Sequence, residues 1–154
     1  MALASFLPDT RTYVRYSSFA MCKRTRHATY NINYHLVWCP KFRRPVLAGE
    51  VGRRLDTLLR EIVAALDGEV AELVVRPAHV HLFASFPPNL ATSQIMHRLK
   101  GASAHQLRQE FPHLRSRLPS LWTRSDYAGT AGSLRCAGVS AAVIQRYIDA
   151  QKGR

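Results

Sequence analysis

Two histidines separated by a single residue are the side chains of this sequence best suited to chemistry. His79 and His81 flank Val80. Two more apolar residues follow at alternate positions, Leu82 and Ala84. Because successive side chains of a strand point to opposite faces, the two imidazoles would lie side by side, away from the apolar residues. Imidazole is the commonest metal ligand among side chains, so the pair predicts half of a metal site. The alternative is two surface histidines on an amphipathic strand.

A second pair of candidate residues lies close to the C-terminus. Tyr147 and Gln151 are four residues apart, so on a helix they share one face about a turn from each other. An amide oxygen can complete a site of two imidazoles, and such a set suits Mn²⁺, Co²⁺ or Zn²⁺. The phenol would then face a phosphate bound there. Without the histidines, an interfacial aromatic and a solvated polar residue would be the better explanation of the pair.

The hydrophobic periodicity predicts the elements that position these residues. Strands are expected at Thr29–Cys39, at Glu69–Val75 and over residues 78–86, with short strands at Leu121–Thr123 and Tyr127–Thr130. Helices are expected from Ala48 to Leu66, closed by Gly68, from Thr92 to Phe111, ended by Pro112, and from Ser140 to Lys152. A loop with Arg115 and Arg117 should follow Pro112.

The order β-α-β-β-α-β with a trailing helix is that of the ferredoxin-like, split βαβ fold. We therefore expect an α+β protein whose two long helices cover one face of an antiparallel sheet. The histidine pair and His35 would lie on the other, open face. His35 is interpreted as a satisfied sheet histidine, with contact to a nucleic acid as the alternative.

The charge of the chain points to a polyanionic partner. Lys and Arg number 22 against 10 Asp and Glu, which gives a formal net charge of +12 over 154 residues. An excess of this size favours nucleic acid, although a solvated basic surface is the alternative. Residues 1–27 form a basic N-terminal extension, either an arm against nucleic acid or a flexible segment. Candidate phosphate contacts are Lys41, Arg43, Arg44, Arg98, Lys100 and Arg108. For Arg108 a solvated helix face is the alternative.

Cysteine usage and the N-terminus predict a cytoplasmic protein. Cys22, Cys39 and Cys136 contain no CxxC pair, which favours thiols in a reducing compartment over disulfides. The first residues lack the basic and apolar regions of a signal peptide. No stretch approaches the length of a membrane-spanning helix, so no membrane partner is expected.

Four sequence blocks resemble the small single-tyrosine HUH transposases of prokaryotic insertion sequences and their REP-associated relatives. The blocks, in the order and spacing of that family, are Tyr34–Arg43, Pro77–Leu82, Leu99–Ser103 and Tyr147–Gln151. The resemblance covers the chain from about residue 28 to the C-terminus and implies a single catalytic domain over residues 28–154. It implies Tyr147 as nucleophile, and His79, His81 and Gln151 as ligands of Mg²⁺ or Mn²⁺.

The resemblance also implies a reaction and an assembly. The tyrosine would attack single-stranded DNA at hairpin-marked element ends, leaving a 5′-phosphotyrosine and a free 3′-hydroxyl. A homodimer would exchange its mobile C-terminal helices, so that one subunit's tyrosine serves the other's histidines. One alternative is a related HUH enzyme acting on chromosomal palindromic repeats. Another is a non-catalytic nucleic-acid-binding module, which needs stacking aromatics on the open face, whereas the predicted alternation turns Tyr34 and Trp38 towards the core.

Overall fold

The computed structural model describes residues 22–131. The elements in chain order are β1 (Lys23–Arg24), β2 (Thr29–Tyr30), β3 (Asn33–Trp38), α1 (Gly49–Ala65), β4 (Glu69–Arg76), β5 (His79–Ser85), α2 (Thr92–Glu110), α3 (His113–Arg117) and β6 (Tyr127–Ala131). A 3₁₀ turn covers Lys41–Arg43. The helix predicted over residues 140–152, and Tyr147 and Gln151 with it, lies outside the described residues.

An antiparallel sheet of four strands organises residues 32–131. Its strand order is β4-β5-β3-β6, and every neighbouring pair is antiparallel. With α1 between β3 and β4, and α2 between β5 and β6, this is the predicted split βαβ arrangement. The α+β fold is therefore confirmed.

One face of this sheet forms the hydrophobic core together with both long helices. The strands contribute Leu36, Trp38, Val80, Leu82 and Ala84, all fully or almost fully buried. The helices contribute Val51, Leu55, Leu59, Ile95 and Leu99 to the same cluster. These residues recur every second position in the strands and every third or fourth in the helices, so both periodicities face one interior. The alternate strand residues, including the histidines, lie on the face away from the helices.

The predicted strand Thr29–Cys39 is wrong as one element. Residues 29–30 form β2, which pairs with β1 through Lys23↔Tyr30 and Arg24↔Thr29. β3 begins at Asn33, and the compact unit that contains it begins at Ile32, so the preceding residues belong to another unit. The composition stays rich in β-formers across the break, and composition does not reveal that the pairing partner changes.

Two other expectations are corrected between α2 and β6. The stretch after Pro112, predicted as loop, is α3, because a proline that cannot continue one helix is well suited to begin the next. The predicted strand Leu121–Thr123 is reduced to an isolated bridge between Pro40 and Trp122.

The C-terminus of α1 is closed by a different residue from the one predicted. Asp67, with φ 54°, makes the left-handed turn. The amide of Gly68 donates to the carbonyl of Val63 at 2.9 Å, and that of Asp67 to Ala64 at 3.0 Å, which is the Schellman pattern. Gly68 is required for space instead, since a Cβ there would lie 2.8 Å from the ring of Phe86.

The cysteine prediction holds for one of the two described cysteines. Cys39 is a free thiol. Cys22 is disulfide-bonded, so the thiol predicted there is wrong; the absence of a CxxC pair does not exclude a disulfide. Among residues 22–131, no helix is both long and apolar enough to cross a membrane. The predicted domain boundary and the cytoplasmic location stay predictions.

Candidate active site

β5 places His79 and His81 together at one end of the sheet. Both side chains are half-buried, and their rings meet edge to face with centroids 5.0 Å apart. Val80 between them is fully buried in the core, which prevents the strand from rotating about its axis. The two imidazoles are thus held side by side before any ligand binds.

A third histidine, on the neighbouring strand, is hydrogen-bonded to one of these two. Nε2 of His35 lies 3.2 Å from Nδ1 of His81, a hydrogen-bond distance. The His35 ring also stacks on Phe83 at 4.1 Å and 7°. With only 2% of its surface exposed, His35 cannot reach DNA. The interpretation as a satisfied sheet histidine therefore holds for Nε2, which has His81 as its partner, but not for Nδ1, which is buried without a hydrogen-bond partner among the described residues.

All three imidazoles are held in their neutral form. Burial, together with the nearby His81, lowers the pKa of His35 to about 4. Burial also lowers the pKa of His79, assisted by the charges of Arg76 and Arg43. For the pKa of His81 burial again comes first, then His79 and Arg76, with Glu72 opposing them. A neutral imidazole keeps one lone pair, which is the form that binds a metal.

The donor set fits a divalent metal. If His81 donates its Nδ1 proton to Nε2 of His35, the Nε2 lone pair of His81 is left free for an ion. His79 presents a second imidazole beside it. Within residues 22–131, no group of three His, Cys, Asp or Glu side chains could hold a metal, so the pair supplies only part of a shell. The predicted third ligand, Gln151, lies outside the described residues, as does Tyr147.

The predicted DNA-contacting residues fall into two groups. Arg43, Arg44 and Arg98 are exposed, and Lys41 is half-buried. Lys100 is already engaged: its ammonium bonds Asp126 Oδ2 at 3.0 Å and the carbonyl of Arg124 at 3.2 Å. Similarly, Arg108 donates to the carbonyl of Pro119 at 3.0 Å. A phosphate would have to compete with these partners at Lys100 and Arg108. Arg98 lies on α2, in the helix layer away from the histidines, so of the predicted arginines Arg43 and Arg44 are the exposed ones nearest to the site.

Arg76 belongs to this site, although sequence reasoning did not single it out. It pairs with His79 across the two-residue hairpin Pro77–Ala78 that joins β4 to β5. The signal was present in the sequence, because a tight turn fixes which residues face each other across it.

Comparisons with known proteins place this chain among transposases. The family model described as "Transposase IS200 like" matches residues 28–151. The ISDra2 transposase TnpA of Deinococcus radiodurans is 37% identical over 129 residues, covering 84% of this chain and 90% of that protein. The transposase of insertion element IS200 from Salmonella typhimurium is 30% identical over 131 residues, covering 84% and 82%.

Solved structures agree with the sequence comparisons. A crystal structure from Deinococcus radiodurans R1, assigned as a transposase, has a TM-score of 0.67 at 34% identity and covers 84% of this chain and 97% of that one. A REP-associated tyrosine transposase bound to a REP hairpin has a TM-score of 0.55, covering 84% and 69%. Its 15% identity shows a shared fold alone.

The protein is thus a transposase. More specifically, it belongs to the IS200-like family, and the resemblance to single-tyrosine HUH transposases is confirmed.

Proposed function

We propose that this transposase cleaves and rejoins single-stranded DNA at hairpin-marked element ends, using Tyr147 as nucleophile. In the same proposal His79, His81 and Gln151 bind Mg²⁺ or Mn²⁺. The observation that carries it is the pair of adjacent, neutral imidazoles on β5 in a chain of this family. Arg43 and Arg76 are close enough to affect His79, and they supply positive charge where a phosphate would enter.

The proposed reaction conserves the energy of the phosphodiester bond. The phenol oxygen of Tyr147 attacks phosphorus and loses its proton, while the bond from phosphorus to the 3′-oxygen breaks and that oxygen takes up a proton. Attack by another 3′-hydroxyl reverses the step and joins strands without ATP. When bound, the metal ion would neutralise charge on the phosphoryl oxygens and favour phenolate character. A phenol with a pKa of about 10 needs such help.

A covalent adduct provides the test. The full chain is incubated with Mg²⁺ and labelled hairpin oligonucleotides from the DNA flanking its gene, and denaturing gels are read for protein-bound label. We expect an adduct that Tyr147→Phe abolishes and that His79→Ala reduces about 100-fold or more while DNA binding persists. His105→Ala, an exposed histidine of α2, is the matched control and should change neither. An adduct that survives Tyr147→Phe, or none with either metal, would contradict the proposal.

We further propose that the protein is a homodimer in which each site combines residues of both subunits. A mixture of differently tagged His79→Ala and Tyr147→Phe chains then tests the sharing. In a shared arrangement, heterodimers contain one intact site, and label appears on the His79→Ala chain. If each subunit supplies its own tyrosine, every site in the mixture lacks one essential residue and no adduct forms.

A further inference from the structure

An exposed phenylalanine beside the histidine pair has no role in the fold. Phe42 lies in the 3₁₀ turn after β3, and 68% of its surface is exposed. Residues 22–131 contain one other large apolar side chain that is similarly exposed, Tyr127. A single exposed apolar residue needs no explanation by itself. The backbone of this turn, however, is unusual.

Phe42 occupies a backbone conformation that phenylalanine avoids. Its φ is 61° and ψ is 19°, and the next residue, Arg43, has φ 50°. Both values lie in the left-handed region, where an L side chain is disfavoured and glycine is the usual residue. The amide of Arg43 donates to the carbonyl of Pro40 at 2.9 Å, so Phe42 is the third residue of a closed turn, where a positive φ normally selects glycine or asparagine. The turn itself gives no reason for an aromatic side chain.

The base of the turn is anchored firmly enough to hold this conformation. The amide of Lys41 donates to the carbonyl of Leu121 at 2.9 Å, and Pro40 forms a bridge with Trp122. Trp122 is buried and donates its indole N–H to Oγ of Ser103 at 3.1 Å. Surrounding structure that fixes a disfavoured conformation is a feature of functional sites.

The turn lies next to the histidines. β3 and β5 pair Trp38 with Val80, so the next position in register places Cys39 opposite His79, and the turn begins one residue later. On its return the chain is bonded to the β4–β5 hairpin, where the amide of Leu47 donates to the carbonyl of Pro77 at 3.0 Å. The effect of the Arg43 charge on His79 agrees with this placement.

The surroundings of the ring match single-stranded DNA. The ammonium of Lys41 lies over the Phe42 ring, 5.5 Å from its centroid, and the exposed Arg43 and Arg44 follow directly. An exposed aromatic face among cations is what recognises the alternation of bases and phosphates in an unpaired strand. So many uncompensated positive charges around one ring fit a protein interface less well than they fit DNA.

We propose that Phe42 stacks on an unpaired base of the DNA strand at the histidine site, while Arg43 and Arg44 bind the adjoining phosphates. The proposal rests on the proposed function for its ligand, and it assigns to Phe42 a binding role rather than a chemical one. Stacking holds the strand in place without reading its sequence, since every base has a flat face.

The test measures binding in the absence of chemistry. The full chain carrying Tyr147→Phe is titrated in EDTA against a short fluorescein-labelled single-stranded oligonucleotide and against an abasic strand of equal length. Phe42→Gly should weaken binding of the normal strand roughly 5- to 150-fold and leave the abasic strand unaffected. Phe42→Tyr should bind as well as the parent. Phe42→Leu should lose most of the affinity that Phe42→Gly loses.

The glycine variant separates binding from folding, because it relieves the backbone and should be at least as resistant to thermal unfolding as the parent. An equal loss on both strands, or full affinity in Phe42→Leu, would overturn the stacking role. So would unchanged DNA affinity together with a changed oligomeric state by light scattering, which would assign the ring to a contact between copies.

The two proposals fail in different ways. If the unsubstituted chain forms no adduct but Phe42→Gly loses base-dependent binding, the stacking surface stands and the proposed chemistry is wrong. If the adduct forms and Phe42→Gly binds both strands like its parent, the stacking role alone is wrong.

Discussion

His35 is the histidine whose environment differs most from water, and this makes stability depend on pH. Its pKa is about 4 in the folded chain and about 6.5 when unfolded. Between those values the unfolded chain binds the proton first, so acidification favours unfolding. The contribution of His35 to the free energy of unfolding is fully present above pH 6.5. It is lost as the pH falls towards 4, and the loss amounts to about 3 kcal/mol at most.

The prediction is checked by urea unfolding at pH 7.0 and 4.5 in EDTA. His35→Phe keeps a flat ring against Phe83 but cannot titrate, so its free energy of unfolding should vary less with pH than that of the parent. His79 and His81, whose pKa values are also lowered, retain the remaining dependence. His105→Asn, at an exposed position, should behave as the parent. Equal pH dependence in His35→Phe and parent would count against the burial argument.

The sequence predicted on which face of the sheet these histidines lie, but it did not predict which residues they contact. The alternation of apolar residues around Val80 is enough to place His79 and His81 together. That His35 bonds His81 depends on the register of β3 against β5, which periodicity does not specify. Lys100 was likewise predicted to be outward and available, whereas Asp126, distant in sequence, pairs with it.

At the scale of elements, two neighbouring residues at the end of α1 are constrained in different ways, one by its backbone conformation and the other by lack of space. Asp67 has the positive φ, and Gly68 has the close neighbour. Asp67→Gly should therefore raise the free energy of unfolding, by about 0.5–1 kcal/mol, because glycine adopts the left-handed region without steric cost. Gly68→Ala should lower it by roughly 1–3 kcal/mol, since the new methyl group would press on the Phe86 ring.

Chemical denaturation of the two variants measures these changes in the free energy of unfolding. Gly101→Ala is the control: it lies inside α2, and a Cβ there would meet nothing within 4 Å, so alanine should stabilise by about 0.5–1 kcal/mol. A stabilising Gly68→Ala would contradict the close-contact argument. The two long helices, α1 and α2, were predicted to within one residue at each end, because apolar residues recur along them at helical spacing. The break before β3 was missed, because no change in pattern accompanies the change of partner strand.

At the scale of the whole molecule, the site is assembled from distant parts of the chain. The described residues contribute two candidate ligands on one strand, and the proposed nucleophile and third ligand lie some seventy residues later in the sequence. No local pattern links these parts. The connection came from the resemblance to a family, and the family match over residues 28–151 spans both. The fold, in contrast, followed from patterning alone.

Although the net charge of the chain is +12, we expect DNA to bind mainly at Arg43 and Arg44. If Arg43 and Arg44 bind phosphates, replacing both with Gln removes the release of their counterions. The slope of log affinity for single-stranded DNA against log salt should then become shallower by roughly 1.4, about 0.7 for each phosphate that is no longer neutralised. Anisotropy titrations of the Tyr147→Phe chain over a range of NaCl concentrations measure this slope.

The matched control is Arg53→Gln with Arg60→Gln, which has the same net charge as the double variant at residues 43 and 44. Both control residues are exposed on α1, in the helix layer on the far side of the sheet from the histidines. Charges more than a Debye length from the bound strand are screened, so this variant should keep the parent slope. Equal slopes in the two double variants would mean that the basic surface attracts DNA as a whole and that Arg43 and Arg44 have no special position.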